Sequence, residues 1–98
     1  MLLHVQIELF DSIKDNEEIM EVRKVLGERF KIILTSGKVQ AGGIYSDARG
    51  GFLLVKVDSA EELFDLLGPA IIDHAHIETH PVISFEYLGE FFKKESIV

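Results

Sequence analysis

Between residues 2 and 10 apolar and polar side chains alternate, with Leu3, Val5, Ile7 and Leu9 on one side and His4, Gln6 and Glu8 on the other. A period of two is that of a strand with one face buried, so a first β-strand is predicted here. The period then changes. From Glu17 to about Ser36, Ile19, Val22, Leu26, Phe30, Ile33 and Leu34 recur at three- and four-residue steps, the stripe of an amphipathic helix. Asp15, with Glu18 three positions later, resembles a helix-capping arrangement, and Gly37 supplies a stop. Gly27 inside the helix lowers its propensity and permits a bend. Alternation returns over residues 38–46, with Val39, Ala41, Gly43 and Tyr45 against Gln40, Gly42, Ile44 and Ser46. The Gly42-Gly43 pair points to a bulge or a close backbone approach. Asp47-Ala48-Arg49-Gly50-Gly51 reads as a hairpin connection. Phe52 to Val57, almost wholly apolar, reads as a central strand.

A second helix opens at Asp58, with Ser59 as N-cap and Glu62 completing a capping box. Leu63, Leu66 and Leu67 form its buried stripe, and Gly68-Pro69 is expected to end it. Residues 75–86 read as the last strand. Ala75, Ile77, Thr79, Pro81, Ile83 and Phe85 share one face; His76, Glu78, His80, Val82, Ser84 and Glu86, with His74 before them, share the other. Pro81 has no N–H to give to a ladder, which assigns this strand to a sheet edge. Residues 87–98 are left as a C-terminal extension with Leu88, Phe91 and Phe92 as anchors.

The order β-α-β-β-α-β over a single domain, 1–98, is the ferredoxin-like α+β motif. It implies a four-stranded antiparallel sheet in order 4-1-3-2 with two helices on one face. The other face is predicted to carry His4, Gln6 and Glu8, Ile44, then Phe52, Leu54 and Lys56, and the histidine row. Bare Ile44, Phe52 and Leu54 would form an exposed apolar patch. Packing that face against a second copy covers it and gives a dimeric α+β barrel, so self-association as a homodimer or larger assembly is expected.

Composition narrows the possible partners. The chain has 98 residues, 47% of them hydrophobic, enough for one core and one domain. The formal net charge of −7 opposes binding to phosphate backbones, and Lys and Arg form no cluster, so no nucleic-acid partner is expected. No apolar run approaches the roughly 18 residues of a membrane span, and no membrane partner is expected. The first residues read as a strand rather than a signal peptide. The absence of cysteine excludes disulfides, thiolate metal sites and thiol nucleophiles, and suits a cytoplasmic setting.

Chemistry concentrates in the row His74, His76, Glu78 and His80. Side chains two residues apart on a strand project to one face, roughly 6–7 Å from each other. Two histidines and a carboxylate at that spacing fit a metal ion. The same row also fits a polar barrel lining, or a solvated edge that resists aggregation. His4 and Glu8 belong to the neighbouring strand, so His4 faces Glu78 or His80 across the ladder. A histidine beside a carboxylate is suited to general-base work, because the carboxylate fixes its tautomer and stabilises the imidazolium. A satisfied structural histidine is the plain alternative. Tyr45, Arg49 and Lys56 are candidates for holding a carboxylate or polarising a carbonyl. Their ordinary roles would be core tyrosine, turn arginine and solvated lysine.

Several segments resemble the muconolactone delta-isomerase family. Met1-Leu2-Leu3-His4-Val5 is similar to that family's N-terminal strand. Ser36-Gly37-Lys38-Val39 followed by Gly43-Ile44-Tyr45 is similar to its Gly-Lys-Trp segment and the Gly-x-Tyr after it. Val57-Asp58-Ser59-Ala60-Glu61-Glu62-Leu63 is similar to its second helix start, and His80-Pro81 to its C-terminal His-Pro. The likeness runs to about Pro81; the family's tryptophan near position 39 is absent, since the chain has no Trp. The resemblance implies the dimeric α+β barrel superfamily. It further implies a cofactor-free isomerase that shuttles a proton on a small lactone or related carbonyl compound. His4, Glu8, His76, Glu78 and His80 are then the catalytic candidates, with Tyr45, Arg49 and Lys56 binding substrate. Two other readings stand beside it: a non-enzymatic ligand-binding or assembly module, and a metal-dependent enzyme using His74, His76 and His80.

Overall fold

The computed structural model describes residues 1–96. They form β1 (Leu2–Leu9), α1 (Asn16–Leu34), β2 (Val39–Ile44), β3 (Gly50–Lys56), α2 (Ala60–Ile72), β4 (Ala75–Pro81) and α3 (Phe85–Ser96). The strands make one antiparallel sheet in the order β2-β3-β1-β4. Apart from α3, this is the ferredoxin-like α+β fold. The odd-numbered residues Leu3, Val5, Ile7 and Leu9 of β1 join Leu53, Val55 and Val57 in the core. Val22, Leu26 and Ile33 of α1 and Leu63, Leu66, Leu67 and Ile71 of α2 cover them.

Both helix starts are capped as the sequence suggests. Asp15 Oδ1 accepts from the N–H groups of Glu17 at 2.9 Å and Glu18 at 3.3 Å. Ser59 Oγ accepts from Glu62 N at 3.1 Å. The Glu62 carboxylate reaches back one residue further than a simple capping box, to Asp58 N at 2.7 Å, and also pairs with Lys38 Nζ. Those two partners, Lys38 foremost, hold the Glu62 carboxyl below its ordinary pKa. Gly37, at φ +80°, stands just beyond α1 in the left-handed region open to glycine.

The second helix does not stop at Gly68-Pro69. It kinks there and resumes to Ile72. Gly68 sits at φ 72°, ψ 168°, a conformation essentially reserved for glycine. Pro69 then opens the second segment, where a missing N–H does no harm. The carbonyls left without helical partners at the kink are taken by Arg29 of α1. Its guanidinium donates to Asp65 O at 2.6 Å, Leu66 O at 2.7 Å and Leu67 O at 3.1 Å.

Two further expectations are corrected. The last strand ends at Pro81 rather than running to residue 86: its ladder partner, β1, begins at Leu2, whose carbonyl accepts from Val82 N at 2.9 Å, and Ser84 then caps a new helix. Ser84 Oγ and carbonyl O both accept from Tyr87 N, at 3.3 and 3.1 Å. Residues 87–96 of the extension therefore belong to the helix α3, and its residues 97–98 lie outside the described residues. The second correction concerns parity in β2. The register slips between Val39 and Ala41, ahead of the glycine pair. Val39 faces the helices opposite Val55, but beyond the slip Ala41 pairs with Leu54, Gly42 with Leu53, Gly43 with Phe52 and Ile44 with Gly51. An extra residue reverses which side chains point where. Ile44 thus belongs to the helix side of the sheet and not to the open face.

Candidate functional site

The slip in β2 creates a cavity. On the helix side, Gly42 lies opposite Leu53, and Gly51 has Ile44 on one flank and Ile7 on the other. The two glycines leave the floor beneath α1 without side chains. A Cβ at Gly51 would come within 2.4 Å of Gly43 O, and one at Gly42 within 2.7 Å of Phe52 O. Strand spacing at these points therefore admits glycine alone. Above the floor, Leu26, Phe30 and Leu34 project from successive turns of α1. Between them opens a cavity of about 560 Å³, lined almost throughout by carbon. Arg23 is the one charged side chain in the lining among the described residues. Its Nη2 donates to Ala48 O at a long 3.4 Å, leaving most of the guanidinium's donors for another acceptor. Gly27 also faces the cavity, and a Cβ there would meet nothing within 4 Å apart from the neighbouring residues and backbone of α1 itself.

The histidines lie on the opposite face. The ladder sets His4 opposite His80, Gln6 opposite Glu78 and Glu8 opposite His76. The half-buried His4 ring stacks on Phe52 with centroids 5.5 Å apart and lies 6.4 Å from the His80 ring. His80 Nε2 is 3.4 Å from Glu78 Oε1. His4, Glu78 and His80 are thus brought together. Glu8 and His76 form a separate pair four residues along the strands, about 13 Å away, where Phe10 meets His76 edge-on at 4.7 Å. His74 precedes β4 and leaves the row: its Nδ1 is 2.6 Å from Ala70 O, a contact that requires the proton on that nitrogen. Among the described residues no group of three or more His, Cys, Asp or Glu side chains is arranged to hold a metal ion.

The remaining candidates are scattered. Lys56 ends β3 on the open face, exposed, opposite Leu2. Tyr45 is half-buried in the β2–β3 connection, where its N–H donates to Gly50 O at 2.9 Å. Arg49 Nη2 donates to Phe10 O at 3.1 Å and Ile13 O at 3.0 Å, tying this turn to the β1–α1 connection. None of the histidines, Glu8, Glu78, Tyr45, Arg49 or Lys56 lines the cavity. Sequence patterning missed the cavity because it read β2 without the slip; the signal available was Gly42 and Gly51 in adjoining strands. No helix among the described residues is long and apolar enough to cross a membrane. No protein-family model matches the chain, and no curated protein is detectably similar to it in sequence.

Proposed function

We propose that this chain is a small-molecule-binding module that takes an apolar compound bearing one acidic group into the cavity beneath α1. The glycine-floored, carbon-lined cavity carries the reading, since ligand sites are typically apolar clefts of a few hundred Å³ with few polar groups. Arg23 supplies the polar group: a guanidinium at an apolar wall matches a carboxylate or sulfonate. An anilinonaphthalene sulfonate and its neutral analogue test this. Saturable one-to-one binding of the sulfonate is expected, weakened about tenfold by Arg23→Gln, the worth of one charge-assisted hydrogen bond. The neutral analogue should be indifferent to that change, and Gly27→Leu should block both. Unaltered sulfonate binding by Gly27→Leu would place the ligand elsewhere.

A second reading, a muconolactone-isomerase-like proton shuttle, is favoured by one observation: His4, His80 and Glu78 meet on the open face. His4 would take and return the proton, with Glu78 stabilising the charged imidazole form through His80. His4→Gln should then remove roughly 10²–10⁴-fold of turnover on an enol-lactone panel. Equal turnover by wild type and His4→Gln would rule this out, as would none by wild type.

A further inference from the structure

The helix α3 is amphipathic and packs substantially against no other element among the described residues. Phe85, Leu88 and Phe92 fall at i, i+3 and i+7, one stripe of the helix, with Phe91 beside Phe92. Phe85 is 89% exposed and Phe92 60%. An isolated helix of this length is marginal in water, so its stripe needs a partner. The molecule's dimensions show how much is uncovered. It extends 61 × 24 × 18 Å with a radius of gyration of 16.5 Å, against about 12–13 Å for a compact domain of this length. Its accessible surface is 7083 Å², where a compact monomer of this mass exposes about 5,600 Å². The excess, about 1,500 Å², is larger than the roughly 800 Å² each partner contributes to a standard stable interface.

We propose that α3 is an exchanged arm: a second copy of this chain covers its stripe together with the apolar part of the open sheet face, around Phe52 and Leu54. The two surfaces belong to one interface because β4, the edge strand of that sheet, leads into α3 after three residues. A two-fold pairing uses the same patch on both copies and covers both arms at once. Charge disfavours the other occupant such a helix suggests, an anionic membrane. The chain carries a net −7, and α3 sets Glu86, Glu90 and Glu95 against only Lys93 and Lys94. The pairing would also wall the His4, Glu78 and His80 cluster, which lies on the open face, away from the cavity beneath α1.

Light scattering at micromolar concentration tests the arm, with circular dichroism as a folding control. Wild type should show twice the chain mass. Phe85→Asp with Phe92→Asp should show the single-chain mass at unchanged sheet signal, since both residues are exposed within one chain. Leu54→Asp should weaken pairing by at least tenfold in dissociation constant. A monomeric wild type overturns the proposal, as does full pairing by the α3 double variant. Full pairing by a folded Leu54→Asp removes the sheet face from the interface. A wild type that binds phosphatidylserine vesicles through α3 and stays monomeric replaces the second copy with a membrane.

Discussion

Gly27→Leu separates a true cavity from a helix that settles onto its sheet. The substitution acts twice. Replacing an interior helical glycine by a good helix former is worth about 0.8 kcal/mol, and Gly27→Ala measures that part alone. The leucine side chain then enters space where, apart from the neighbouring residues and backbone of α1 itself, no atom lies within 4 Å of the new Cβ. Full burial of a leucine stabilises by about 1.5–3 kcal/mol; in a cavity open on one side roughly half of that, about 1 kcal/mol, is expected. The sum is near 2 kcal/mol. For a domain of this size each kcal/mol shifts the melting temperature by about 4–8 °C, so a rise of roughly 8–15 °C is expected. Thermal and urea unfolding of wild type, Gly27→Ala and Gly27→Leu should be followed by circular dichroism at one fixed protein concentration, because pairing makes stability concentration-dependent. The decisive quantity is the difference between leucine and alanine. A leucine variant more stable than the alanine variant is the result the cavity requires. If α1 instead lies down on the glycine floor, leucine overpacks the site and falls below alanine by about 1–3 kcal/mol. That order would refute the cavity and the ligand reading built on it.

Gly68→Ala should destabilise by about 1–3 kcal/mol in urea unfolding, since only glycine tolerates its backbone angles and a Cβ would also come within 2.9 Å of the Arg29 guanidinium; an unchanged midpoint would refute the kink. Glu62 and Lys38 give a pH test. The folded pKa of Glu62 lies below its ordinary 4.5, so the unfolded chain binds more protons in that window. The stabilisation is fully present above 4.5 and lost as pH falls through the folded value. Lys38→Met, which removes the largest cause, should lower urea stability at neutral pH, with a gap from wild type that closes as acid is added; a gap independent of pH would show that Glu62 is not the group responsible.

The fold was legible because each helix and strand declares itself by period and cap: Leu3 to Leu9 alternate, Asp15 and Ser59 cap, and Phe52 to Val57 is too apolar for anything but a central strand. The C-terminal segment was harder. Val82, Ile83, Ser84 and Phe85 continue an alternation that suits a strand, and only the pairing of Pro81 with a capping Ser84 marks the change to helix. Tertiary packing would have announced α3 as a helix, but within one chain it has little, so periodicity was left to decide a short segment alone.

The site was hidden for a different reason. Every assignment of a β2 side chain to a face depends on counting from Val39, and one slip ahead of Ala41 inverts the count for all that follows. Counted without the slip, Ile44 joins Phe52 and Leu54 on the open face and enlarges the patch there. Counted with it, Ile44 moves to the rim of the cavity, and Gly42 rather than Gly43 becomes its floor. The glycines gave a correct warning, since neither Gly42 nor Gly51 has room for a Cβ, but a glycine signals close approach without saying which face it empties. The consequence is a division of labour by sheet face. Of the titratable residues that motif reading selects, His4, Glu78 and His80 sit together on the open face, away from the cavity; the apolar cavity lies on the helix side and is open to solvent, with Arg23 as the one charged side chain lining it among the described residues. A ligand in the cavity and a proton shuttle at His4 therefore cannot be one site within one chain. Gly27→Leu perturbs the first face and His4→Gln the second, so a single change that abolished both activities would disprove their separation by the sheet.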